Sequence, residues 1–151
     1  MSNITHSVNH QQQSRENSCW AASAAMLTGT TESVILEKFA DFGDDGASEP
    51  ECQRLATELG LTVLPEMCRT PEGWLQILER GPVMVGIPGH FIVVSGIDYN
   101  EESQAYYLYV NDPGNSSPDW RVLETVENGY EADWEFSYDM LQQRDHCCSM
   151  S

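Results

Sequence analysis

Cys19 stands where a polar segment, residues 11–18, gives way to an alanine-rich apolar run, residues 20–27. A cysteine at a helix N-terminus meets unpaired backbone N–H groups and the positive end of the helix dipole, and both favour the nucleophilic thiolate. The competing reading is a buried structural thiol, since Cys-Trp-Ala-Ala-Ser-Ala-Ala also suits a helix face packed in a core. A thiolate nucleophile needs a base. Of the four histidines, His90 alone heads an apolar strand-like run, HFIVVSGI, directly after Pro88-Gly89. His6 and His10 lie in a polar N-terminal arm and His146 in a polar tail, positions that predict solvent exposure. The imidazole needs an acceptor on its far nitrogen, and Asp112 ends the next run, AYYLYVND, where antiparallel pairing could bring it beside His90. Asn111 is its rival, and Asp112-Pro113-Gly114 is also a turn sequence. A developing oxyanion needs two donors. The Cys19 N–H supplies one, and a side-chain amide upstream the other: Gln13 lies six residues before Cys19, with Gln11 and Gln12 as alternatives.

These side chains need a helix start, a rigid central strand and the end of its neighbour. A first helix is predicted from a cap at Asn17 or Ser18 to a stop at Gly29. TESVILEKFADF is a second amphipathic segment, starting after Thr30 or Thr31 and running out at Gly43. Ser48 with Glu51 forms a capping-box signature for a helix ending at Gly60, followed by a short strand over residues 61–64. Thr70-Pro71 opens another helix, with Trp74, Leu75 and Leu78 toward the core, and Gly81-Pro82 stops it. From Val83 the runs PVMVGI, HFIVVSGI, AYYLYV and RVLETV predict an antiparallel sheet. HFIVVSGI is apolar on both alternating faces and should be central. Ser137 is a candidate cap for a closing helix, SYDMLQQR. Helices first and strands after predict an α+β fold in one domain over residues 1–151.

Taken together, Gln13, then Cys19-Trp20-Ala21-Ala22-Ser23, then Gly89-His90-Phe91-Ile92-Val93-Val94, then Asp112-Pro113 resembles the papain-like cysteine peptidases. The order Gln, Cys, His, Asp and the glutamine-to-cysteine spacing both match, over most of the chain. The small size and the Asp-Pro third member resemble the bacterial branch, which includes double-glycine leader peptidases and related effector proteases. The resemblance implies an N-terminal helical half packed on a C-terminal antiparallel sheet half, with Cys19 and His90 facing each other across a cleft. It implies acyl transfer through a Cys19–His90–Asp112 triad and a thioester, with Gln13 in the oxyanion hole and no cofactor. A protein or peptide substrate follows, while an amidase or a transglutaminase-like acyl transferase would use the same triad. A binding module without activity is the reading from another class. The resemblance also allows an effector toxin delivered by a bacterial secretion system and matched by an immunity protein in its producer.

Composition narrows the partners. Apolar residues make up 40% and charged residues 21%, as in globular proteins. Acidic residues outnumber basic ones 24 to 7, a net charge of −17 that disfavours nucleic acid and favours a basic peptide or partner. The N-terminus lacks the pattern of a signal peptide and no apolar run could span a bilayer, so synthesis in the cytoplasm and no membrane association are expected. Five cysteines without regular spacing predict no disulfide framework, and Cys52, Cys68, Cys147 and Cys148 contain no C-x-x-C pair for zinc.

Overall fold

The computed structural model describes residues 3–44, 46–64, 70–87, 90–127 and 140–143. Helix α1 (Cys19–Thr28) is apolar on every side because it is enclosed on every side: Cys19 through Leu27 are all buried. It ends at Gly29, whose left-handed backbone returns its N–H to the Ala25 carbonyl. Helix α2 (Glu32–Lys38) starts at Thr31, whose hydroxyl accepts from the Val34 N–H, and a 3-10 turn follows at Ala40–Phe42. Helix α3 (Glu49–Leu59) opens on the Ser48–Glu51 capping box and closes on left-handed Gly60. Helix α4 (Pro71–Arg80) is capped by Thr70 through the Gly73 N–H, with proline in its first turn.

The strands are β1 (Ile4–Thr5), β2 (Leu61–Leu64), β3 (Val83–Ile87), β4 (His90–Asn100), β5 (Ala105–Asn111), β6 (Asp119–Val122) and β7 (Met140–Gln143). They form one sheet in the order β2-β7-β3-β4-β5-β6, with antiparallel pairing throughout the described residues. HFIVVSGI is central, as expected: β4 lies between β3 and β5. Beyond the end of β3, the same edge of β4 takes up β1, with Ile4 opposite Ile97 and Thr5 opposite Gly96.

Successive residues of β3 and β4 enter different cores, as a two-residue period requires. Met84, Phe91 and Val93 pack with Trp20, Leu27, Ile35 and Leu55 of the helical half. Val83, Val85, Ile92 and Val94 pack on the opposite face with Trp74 and Leu78 of α4. That is why HFIVV carries no polar alternation.

Several expectations are corrected. RVLETV is not one strand: β6 stops at Val122 and helix α5 (Leu123–Glu127) follows, burying Leu123 and Val126 one turn apart. The segment SYDMLQQR does not close the chain with a helix over its middle. Residues 140–143 are β7, inserted between β2 and β3, so that both edges gain hydrogen-bonded partners and local helix propensity is overridden. Its proposed cap, Ser137, lies outside the described residues, as do Cys68, Pro88, Gly89, His146, Cys147 and Cys148. The N-terminal arm is docked rather than free. The His6 N–H donates to the Ser95 carbonyl at 2.8 Å, and the His6 ring meets the Leu78 carbonyl through Nε2 at 2.5 Å.

Candidate active site

Cys19 is the first residue of α1 and only 7% exposed. Ser18 occupies the N-cap position but makes no capping bond. Its hydroxyl instead donates to Glu32 Oε2 at 2.6 Å and accepts from the Arg15 N–H at 3.1 Å. The positive end of α1 is therefore not compensated by a side-chain cap.

His90 is the first residue of β4 and Asp112 directly follows β5. Val93 pairs with Asn111, which sets His90 and Asp112 as diagonal neighbours on one face of adjacent strands. His90 Nε2 lies 2.6 Å from Asp112 Oδ1. The same oxygen accepts from the Gly114 N–H at 2.8 Å, and the Asp112 carbonyl accepts from the Asn115 N–H at 2.9 Å. Asp112 is thus both turn residue and imidazole partner. With Nε2 engaged by Asp112, Nδ1 is the nitrogen left to face Cys19, which is close enough to act on the charge of the ring. Burial works against charge on His90, but the hydrogen bonds and attraction of Asp112 and Cys19 outweigh it and push its pKa up to about 9. The His90 side chain keeps 25% of its surface exposed against 11% for Asp112, so the ring is the more open of the two.

Asn111, the rival for this place, leaves the strand on the other face. It is buried and donates through Nδ2 to Ser95 Oγ at 2.8 Å and to the Val93 carbonyl at 3.4 Å.

The three glutamines separate clearly. Gln11 spans the α1–α2 turn, donating to the Thr30 carbonyl at 2.6 Å and accepting from the Glu32 N–H at 2.8 Å. Gln12 is exposed. The Gln13 N–H donates to the Pro113 carbonyl at 2.8 Å, beside Asp112. Its side-chain amide donates to the carbonyls of Arg15 and Glu16, each at 2.9 Å, and its Oε1 is buried without a partner. Gln13 therefore joins the loop leading into Cys19 to the turn holding Asp112. His10 reinforces that join through Nε2, 2.8 Å from the Asn115 carbonyl, so it too is docked rather than solvated. The buried carboxylate of Glu32, which ties this loop to α2, gave no sign in the sequence beyond an acid in a helix's first turn.

Cys52 is buried in the helical core. No cluster of three or more His, Cys, Asp or Glu side chains suited to a metal occurs among the described residues, and no described helix is long and apolar enough to cross a membrane.

The fold is similar to that in the crystal structure of UfSP from C. elegans, with a TM-score of 0.56 and 14% identity, covering 95% of this chain and 35% of that one. No curated protein matches the chain at a comparable level. Residues 2–127 match the family described as papain-like cysteine protease AvrRpt2, a span that contains Cys19, His90 and Asp112. By that match the chain belongs to the AvrRpt2 family of papain-like cysteine proteases.

Proposed function

We propose that this cysteine protease cleaves peptide bonds in a protein or peptide substrate through Cys19, His90 and Asp112, in a single peptidase unit. The observation that carries the reading is the 2.6 Å contact between His90 Nε2 and Asp112 Oδ1, on an imidazole whose pKa Cys19 also helps to raise. The Cys19 thiolate attacks the carbonyl carbon. Charged His90 gives its proton to the amine nitrogen as the C–N bond breaks, leaving a thioester on Cys19. Neutral His90 then takes a proton from water, which attacks the thioester and releases the acid, restoring the thiolate and imidazolium. Asp112 holds the ring and stabilises its charge.

The oxyanion is assigned to the Cys19 N–H and the Gln13 amide. One Gln13 N–H has to turn from Arg15 or Glu16 for this, an adjustment of the kind that accompanies substrate binding. The test is whole-proteome N-terminal labelling after exposure to active protein and to Cys19→Ala. New N-termini dependent on Cys19 support a peptidase. Loss of side-chain amides without new N-termini would assign the same triad to an amidase or acyl transferase, and no difference between the two proteins would leave a binding module.

The biological setting proposed is that of an effector toxin acting inside a target cell, supported by the family assignment and the resemblance to effector proteases. Expression in the cytosol of a sensitive cell should be toxic with Cys19 and harmless with Cys19→Ala. An immunity protein from the producer should abolish the toxicity on co-expression. Harmless expression of active enzyme would defeat this role while leaving the chemistry in place.

A further inference from the structure

Glu32 is buried where α1 and α2 meet, at a helix start where an exposed acid would be ordinary. Among the described residues no Lys, Arg or His pairs with it. Hydrogen bonds hold its carboxyl group in place: the Ser14 N–H reaches Oε1 and Oε2 at 3.2 and 3.0 Å, and the Ser18 hydroxyl reaches Oε2 at 2.6 Å. Its own N–H donates to Gln11 Oε1. Glu32 therefore grips the chain at residues 11, 14 and 18, on both sides of Gln13 and next to Cys19.

Burying a carboxylate without a cation is costly, and packing alone is served better by an apolar side chain. What this arrangement does supply is geometry. A serine at an N-cap ordinarily turns its oxygen onto the N–H of the second or third helical residue. Ser18 makes no such bond, and its hydroxyl is bonded to Glu32. The Ala21 and Ala22 N–H groups turn to the Ser18 carbonyl at 3.0 and 3.1 Å, and no side-chain oxygen caps the first turn, so the Cys19 N–H remains available to charge that develops there.

We infer that Glu32 is a positioning residue for the reaction. By holding Ser14 and Ser18 it fixes the loop that carries Gln13 and ends at Cys19, and by engaging Ser18 it keeps the start of α1 open. The inference rests on the oxyanion assignment proposed above. Glu32 serves the step in which charge develops on the carbonyl oxygen, and neither substrate binding nor attack of the thiol on a small alkylating agent depends on it.

The test uses the full chain and a fluorogenic peptide built on a site cut in the labelling experiment. Glu32→Ala should lower kcat by about 10- to 100-fold with KM unchanged, below the loss for a whole oxyanion donor. Iodoacetamide should still alkylate Cys19 at the wild-type rate, and the Ser14 amide should exchange with deuterium faster. Glu32→Gln keeps one oxygen acceptor, which can serve both Ser14 and Ser18 as Oε2 does, and should recover much of kcat. Wild-type kcat in Glu32→Ala with a deprotected Ser14 amide overturns the inference and leaves the proposed function standing. A parallel fall in alkylation also overturns it, because that marks general disruption of α1. If Glu32→Ala does not fold, Glu32→Asp, which keeps the charge and shortens the reach, is judged by the same criteria. Activity surviving in Cys19→Ala would instead defeat the proposed function.

Discussion

Asn111 and Asp112 are chain neighbours whose side chains leave β5 on opposite faces, one to a buried Ser95 and the other to His90. Asp112→Ala should lower kcat/KM by roughly 10²-fold or more, since an unheld imidazole forfeits much of its acid–base role. Asp112→Asn should lose less, because the amide oxygen can still take the ring N–H. Asn111→Ala should lower stability by about 1–3 kcal/mol by leaving Ser95 unpaired, with near-normal turnover per folded molecule. Melting curves and turnover for the three variants decide it; collapse of turnover in Asn111→Ala alone would hand the role to the asparagine. His90 carries a pH consequence. Its pKa rises from an ordinary value near 6.5 to about 9 in the folded protein, so the stabilisation it brings is complete below about pH 6.5 and lost as pH rises through 9. The gap in melting temperature between wild type and His90→Ala should therefore shrink from pH 6 to pH 10. The alkaline limb of kcat/KM, which belongs to the Cys19–His90 pair together, should lie near pH 9. A gap that is constant with pH would mean that the ring is not held charged.

Element boundaries were legible where a side chain acts on backbone a few residues away. Thr31, Ser48 and Thr70 start helices and Gly29 and Gly60 end them, as their types predict. Asp112 was legible because strand pairing converts chain order into adjacency. What escaped depends on partners distant in sequence. β7 exists because β2 and β3 leave a gap between them, and nothing in MLQQ announces it. Glu32 looked like an ordinary first-turn acid, and the contacts that make it unusual come from residues 11, 14 and 18. Gly96 belongs to the same class: a Cβ there would stand 2.8 Å from the Ile4 carbonyl oxygen and 3.3 Å from Tyr109 Cβ. Gly96→Ala should therefore push β1 off β4 at a cost of about 1–3 kcal/mol. Amide exchange offers the check, with faster exchange at residues 4–6 expected and the β4–β5 pairing kept. Unchanged protection of the His6 N–H would show that the arm absorbs the methyl group without detaching.

At the scale of the whole molecule, the residues of the proposed triad arrive from different layers. α1 delivers Cys19 from the helical core, β4 and β5 deliver His90 and Asp112 from the sheet, and the arm over residues 10–13 joins the Asp112 turn to the loop before Cys19. The chain as a whole carries a net charge of −17, a field that acts on any charged substrate before contact. Such a field accelerates encounter with cations and slows encounter with anions, without altering a step that follows binding. Raising ionic strength from about 0.01 to 0.15 M shortens the screening length from about 30 to 8 Å and removes most of that reach. For a Lys/Arg-rich peptide bearing a site found by N-terminal labelling, kcat/KM should fall severalfold over this range while kcat holds steady. The same site flanked by Asp and Glu should show the reverse slope in kcat/KM. Equal salt responses for the two peptides would mean that the acidic surface plays no part in selecting substrates and serves solubility alone.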